Sequence, residues 1–137
     1  MIGSSVLAWL RLCRIVQKIG HTQSTYLRTW DLNEAQFDVL AQIGASQGIT
    51  QQQLADKLLV TKGNVSQLLS RMENLGLLTR CPEQRNNILS LTEKGQQIHD
   101  SVVPAIENLI TEQFSALSAT EVLSLLRVLR KLDRSLP

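Results

Sequence analysis

In the stretch CPEQRNNILSLTEKG, from Cys81 to Gly95, a cysteine, a proline and a lone arginine precede alternating apolar residues. A cationic neighbour favours the reactive thiolate, so Cys81 beside Arg80 is a candidate oxidant sensor. The other thiol, Cys13, lies among apolar residues and reads as core. Arg85 offers different chemistry: a guanidinium that a narrow loop tip can carry into a minor groove, where A·T-rich steps deepen the negative potential. An exposed loop arginine is the plainer alternative. A second group is Lys62, Gly63, Asn64, Ser66, Gln67, Ser70 and Arg71, which are small, polar or basic and lie opposite the apolar Val65, Leu68, Leu69, Met72 and Leu75 at helical spacing. Donors and acceptors on a helix slim enough for a major groove are what base-edge reading requires, and a solvated outer face is the alternative. Thr50 and Gln51 could donate to phosphate from a helix N-terminus. Arg71 and Arg80 could also touch phosphate, although Arg71 and Glu73 could equally form ordinary surface pairs. His21, Tyr26 and Trp30 close the first helical segment and could line a ligand pocket, or be core or interface.

Other chemistry finds no support. No nucleophile–base arrangement, phosphate loop or glycine-rich cofactor motif is present, so neither catalysis nor a cofactor is expected. His21 and His99 are too far apart for a recognisable zinc motif, and no metal is expected. Cys13 and Cys81, the only two cysteines, fit no paired framework, as in a reducing compartment.

The 137 residues are enough for one domain with its own core, and 43% hydrophobic against 4% aromatic content reads as a mostly helical globule. No transmembrane span is visible. In MIGSSVLAWLRLCRIV, Arg11 and Arg14 lie inside or after the apolar run and no small-residue cleavage site follows. The segment therefore reads as mature helix, and a cytoplasmic location is expected. A net charge of +2 is too small to mark a polyanion binder, but the charge is unevenly placed. Between Lys57 and Lys94, Lys57, Lys62, Arg71, Arg80, Arg85 and Lys94 outnumber Glu73, Glu83 and Glu93, while Gly95 to Leu126 carries only Asp100, Glu107, Glu112 and Glu121. A local face for a polyanion follows.

These residues must be positioned by helices. The first is predicted from after Ser4 and Ser5 to about Leu27, with more apolar surface than one face needs, so part is expected to bury against a second subunit. Asn33 and Gln36 form a capping box ahead of Phe37, Leu40 and Ile43. Thr50 and Gln53 form another, followed by Leu54 and Leu58 and a stop at Val60. Thr61 caps the next helix, and Gly76 ends it as the expected left-handed residue. Two helices joined by a short turn, the second with a polar, basic outer face, make a helix-turn-helix. LLTR and ILSL, separated by a loop from Cys81 to Asn87, read as a two-stranded hairpin, which makes the unit a winged helix. Thr92 caps a long helix with Ile98, Val102, Ile106, Leu109 and Phe114 inside and a kink at Pro104. Ser118 and Glu121 cap a last amphipathic helix carrying Val122, Leu125, Leu126, Leu129 and Leu132.

At these residues the chain resembles the MarR family of bacterial transcriptional regulators. TKGNVSQLLSRMENLGLLTR, with Arg71, Glu73, Gly76, Leu77 and Arg80 at matching spacing, is similar to the family's recognition helix and following strand. LSLTEKG is similar to the start of its fifth helix, and LSATEVLSLLRVLRKL to its C-terminal helix, so the resemblance covers nearly the whole chain. It implies a mainly α fold with a small two-stranded β wing. The winged helix-turn-helix would span about 33–92 of a single 1–137 domain, flanked by dimerisation helices at about 4–28 and 93–135. The family's wing usually carries an Asp-x-Arg whose arginine enters the minor groove while the acid orients it; here that position falls on Glu83, Gln84 and Arg85, with glutamate for aspartate. A homodimeric, ligand-responsive repressor on a pseudo-palindromic operator is implied, with double-stranded DNA as partner and a small aromatic ligand or an oxidant as signal. The competing expectations are a winged-helix module that binds protein rather than DNA, and a redox switch through Cys13 or Cys81.

Overall fold

The structure is a computed structural model and describes residues 1–58 and 64–137. Its elements run α1 (Ser4–Arg28), α2 (Glu34–Ala45), α3 (Gln51–Lys57), α4 (Val65–Asn74), β1 (Leu78–Glu83), β2 (Asn86–Leu91), α5 (Glu93–Gln113) and α6 (Ala119–Ser135). Local side-chain chemistry starts most of these helices. Asn33 Oδ1 accepts the Gln36 backbone N–H at 2.8 Å while Gln36 Oε1 accepts that of Asn33 at 3.0 Å. The same reciprocal box forms between Thr50 and Gln53, and between Ser118 and Glu121. Each box satisfies two N–H groups that the first turn leaves without partners. Asn33→Ala is expected to cost about 1 kcal/mol, seen as a lower urea midpoint with an unchanged slope; an unmoved midpoint would show that tertiary packing alone holds this helix start.

Three local expectations are corrected. The residue that caps α4 is Asn64, whose Oδ1 accepts the Gln67 N–H at 3.3 Å; Thr61, Lys62 and Gly63, like the expected stop at Val60, lie outside the described residues. α3 ends at Lys57, because Leu58 turns to extended backbone and buries its side chain. Leu75 is exposed instead of inward, since it sits past the last turn of α4, and Leu77 and Leu78 enter the core after Gly76 reverses the chain at φ +78°.

The hairpin also differs from its expected form. Residues 81–87 are not a loop: β1 pairs antiparallel with β2 from Leu78↔Leu91 to Glu83↔Asn86, which leaves only Gln84 and Arg85 in the turn. Gln84 supplies the positive φ of 56° that a tight hairpin turn requires. Pro82 fits within β1 because, among the described residues, no strand pairs with this strand's other edge. The outer edge of β2 is held by the chain entering α3, through an isolated Thr50↔Ile88 bridge and the bonds Leu89 N–H to the Ile49 carbonyl and Gly48 N–H to the Leu89 carbonyl, both 2.9 Å.

The core gathers Val39, Leu40 and Ile43 of α2, Leu54 of α3, Leu68, Leu69 and Met72 of α4, Leu78 and Leu89 of the hairpin, and Val102 and Ile106 of α5. α5 runs unbroken through Pro104, with Leu109 and Phe114 half-buried. The terminal helices behave differently. Leu27 is the only buried residue of α1, and α6 buries none. Among the described residues no helix is long and apolar enough to cross a membrane.

Candidate nucleic-acid interface

The outer side of α4 carries the polar residues expected there, with unequal freedom. Ser66, Gln67 and Arg71 are exposed and Ser70 is half-buried. Asn64 is exposed, but its side-chain oxygen is committed to capping. Lys62 and Gly63 lie outside the described residues. On the preceding helix, the Thr50 hydroxyl accepts the Gln53 N–H at 3.1 Å and Gln51 Oε1 accepts from Asn87 Nδ2 at 3.1 Å. Thr50 and Gln51 therefore already serve the fold: one starts α3, and the other ties it to β2.

At the wing, Glu83, Gln84 and Arg85 are all exposed. Among the described residues the ion pairs are Arg80–Glu73 and His99–Asp100, and Glu83 takes part in neither. Glu83 ends β1 and Arg85 stands in the two-residue turn that follows it. Arg85 lines an open groove with Asn86, Asn87, Gln51, Gln52, Ala55 and Val65. The wing tip, α3 and the first residue of α4 thus share one concavity.

Arg80 was expected at phosphate, but its guanidinium is engaged by Glu73 at 3.1 Å and Ser70 at 2.7 Å. Lys94, counted in the basic segment, donates Nζ to the Leu75 carbonyl at 3.0 Å, at the negative end of α4. Among the described cations between Lys57 and Lys94, Arg80 is paired with Glu73 and Lys94 is tied to the end of α4, while Lys57, Arg71 and Arg85 are exposed.

The junction behind α4 contains supports that spacing alone does not show. The Thr92 hydroxyl donates to the Gly76 carbonyl and accepts the Gly95 N–H at 3.0 Å, while Thr92 N–H reaches the Leu77 carbonyl at 3.1 Å. Thr92 was legible as a cap, but its grip on the end of α4 depends on the hairpin returning the chain there. Further back, Gln47 accepts the Leu91 N–H and donates to Gln96, which donates to Asp100. Hydrogen bonds from His99 and Gln96 hold the Asp100 carboxyl below its usual range, so whatever this exposed group adds is present at neutral pH and lost as pH falls.

The suggested pocket residues are only partly brought together. Trp30 Nε1 donates to the Tyr26 hydroxyl at 3.0 Å, but His21, five residues earlier on α1, is roughly 140° away around the helix and exposed. Cys13 is half-buried and Cys81 exposed, and both are free thiols. Cys81 faces Ile88 across the ladder, so it lies in the wing's shaft rather than in a loop.

A slim helix with a polar outer face, preceded by a second short helix and flanked by a hairpin with a cationic tip, defines the winged helix-turn-helix class. The comparisons narrow this. The sequence model described as MarR family matches residues 30–86. An uncharacterized HTH-type transcriptional regulator of Bacillus cereus is 40% identical over 103 residues, covering 75% of this chain and 69% of that protein. The transcriptional regulator HosA of Escherichia coli is 30% identical over 105 residues, 74% of this chain and 78% of HosA. A cysteine-to-serine variant of Escherichia coli MarR, solved in complex with operator DNA, has a TM-score of 0.80 at 29% identity and covers 93% of this chain and 95% of its own. The chain belongs to the MarR family of transcriptional regulators.

Proposed function

We propose that this protein binds a pseudo-palindromic DNA operator as a homodimer, with α4 of each subunit in a major groove and each wing tip in the neighbouring minor groove. The groove that Arg85 shares with α3 and the start of α4 is the observation that carries this reading. In it the exposed Arg85 lies beside Gln51 and Gln52 of α3 and Val65 at the start of α4, which supports a duplex meeting the wing and both helices together. Ser66, Gln67 and Arg71 supply the base-edge and phosphate contacts of the described part of α4, with Lys62 and Gly63 assigned to the same face from the sequence. Gln84 allows the tight turn, and Arg85 enters the minor groove.

The homodimer follows from the uncovered apolar residues of the terminal helices, among them Trp9 and Val16 of α1 and Leu123 and Val128 of α6. Two copies of one reading head match two half-sites about one helical turn apart. Repression is the proposed output, because a dimer seated on such a site obstructs other proteins from the same DNA. The proposed signal is a small aromatic ligand received near Tyr26 and Trp30, where α1 joins the winged helix, and it would change the spacing of the two reading heads.

Selecting bound duplexes from random DNA tests this directly, followed by gel shifts over a salt series. Enrichment of a two-fold repeat, with affinity falling steeply with salt, is expected; failure to enrich any sequence would remove the proposal in favour of a protein-binding winged helix. Within that assay Arg85→Ala is expected to weaken binding by about 1–3 kcal/mol, roughly five- to 150-fold, without a change in melting temperature. Unchanged affinity would show that the wing is no reader.

A further inference from the structure

Arg80 stands on β1 opposite Leu89, yet its side chain leaves the hairpin for α4. Its Nε and Nη2 donate to Glu73 Oε1 at 3.3 and 3.1 Å, and Nη2 also donates to Ser70 Oγ at 2.7 Å. Nη1 lies 3.5 Å from the Ser66 carbonyl, which it meets as donor. Glu73 uses its second oxygen as well, accepting the backbone N–H of Arg80 at 3.3 Å. Positions 66, 70 and 73 follow one another along a single line of the helix surface. One planar fork therefore grips two turns of α4, and one carboxylate grips both the side chain and the backbone of β1.

The Arg80 side chain is only 17% exposed, so this is no loose surface pair. β2 is tied on its other edge by the Thr50↔Ile88 bridge and the Asn87–Gln51 hydrogen bond. With its base held by α4 on one side and α3 on the other, the hairpin transmits the position of its base to its tip. Arg85 lies five residues beyond Arg80, in the turn that closes the ladder.

We propose that the Glu73–Arg80 pair is a positioning brace that fixes where the wing tip lies relative to the recognition helix, so that Arg85 reaches the minor groove only while α4 and β1 are locked together. Arg80 acts through Arg85 and does not itself bind phosphate. This rests on the DNA-binding reading above, and the sign of one substitution separates the two. Glu73 is an acid on the helix that meets DNA. If Arg80 were a phosphate contact, removing Glu73 would delete a repulsive charge and release a cation, so binding would tighten. A brace predicts the reverse.

The experiment measures affinity for the duplex selected by the wild-type protein, using wild type, Glu73→Ala, Arg80→Lys, Arg85→Ala and the double variant Glu73→Ala/Arg85→Ala, with thermal melts of each. Glu73→Ala is expected to bind about fivefold or more weakly despite its gain in net positive charge, and the double variant to be within about twofold of Arg85→Ala, because a misplaced tip has no arginine left to lose. Arg80→Lys keeps the charge but cannot reach Glu73, Ser70 and Ser66 together, and is expected to lose a similar factor. Equal or tighter binding by Glu73→Ala, full retention of affinity by Arg80→Lys, or losses that add in the double variant would each overturn the brace while leaving DNA binding intact. If wild type selects no DNA, or Arg85→Ala binds as wild type does, the underlying reading fails and the brace with it. Should Glu73→Ala fail to fold, the Arg80→Lys comparison decides alone.

Discussion

Leu126→Asp is expected to leave the protein monomeric in solution and to weaken operator binding by about a hundredfold or more. The 17 residues of α6 include no buried side chain although every third or fourth one is aliphatic. Leu126, Leu129, Leu132 and Leu136 line a shallow apolar concavity along this helix. Val6, Leu7, Trp9 and Leu10 of α1 are exposed as well, so both ends of the chain carry apolar surface that its own fold leaves in water. So much exposed apolar surface is unfavourable for a monomer, and the proposed homodimer would cover it. A second copy gives a self-complementary solution, because both partners bring the same pair of helices. An aspartate within that interface would have to shed its hydration without a cation to meet it. Loss of the dimer then removes the effective concentration with which one bound half-site presents the second reading head. Sedimentation equilibrium checks the first part and gel shifts the second. A variant that stays dimeric would place the interface elsewhere, and a monomer with wild-type affinity would show that one head suffices.

The second large effect is at Gly95, where substitution by alanine is expected to cost about 3 kcal/mol. A Cβ built there would lie 1.9 Å from the Leu77 carbonyl oxygen and 2.9 Å from its carbon. Both obstacles are backbone, so no side-chain rotation relieves the clash. That carbonyl also accepts the Thr92 N–H at 3.1 Å, so moving α5 aside breaks the contact that docks it on the end of α4. Gly3→Ala makes a suitable control, since nothing lies within 4 Å of its Cβ position and no change is expected. Urea unfolding of the two variants compares the midpoints. A wild-type midpoint for Gly95→Ala would mean that α5 can shift freely, and the recognition helix would then have to be supported by other contacts.

Helix starts, the positive-φ residue after α4, the two-stranded wing and the arginine at its tip were all readable from residue types and spacing. The helix caps close within three residues, as in the Asn33–Gln36 and Thr50–Gln53 boxes, and the wing pairs only across its own two-residue turn, so partners lie near one another along the chain. Exact boundaries are less legible, because neighbouring residues offer the same local chemistry: Asn64 rather than Thr61 caps α4, and Cys81 and Pro82 extend the ladder in place of a loop. The apolar excess of the terminal helices was also legible, because a surplus of aliphatics beyond one face shows without knowing what covers it.

Which polar groups remain free to meet DNA was a tertiary matter. Arg71, Arg80 and Arg85 look alike in the sequence, yet Arg80 is consumed by Glu73 and Ser70 while the other two stay exposed. Gln51 is bound to Asn87, 36 residues away, and Gln47 to the Leu91 backbone, 44 residues away. The sequence by itself determined the order of elements and the chemistry each face carries, since propensity, capping and periodicity act over a few residues. Only the tertiary structure decided which of those side chains are spent on the fold, because a hydrogen bond between distant residues exists only once the chain has brought them within about 3 Å of each other.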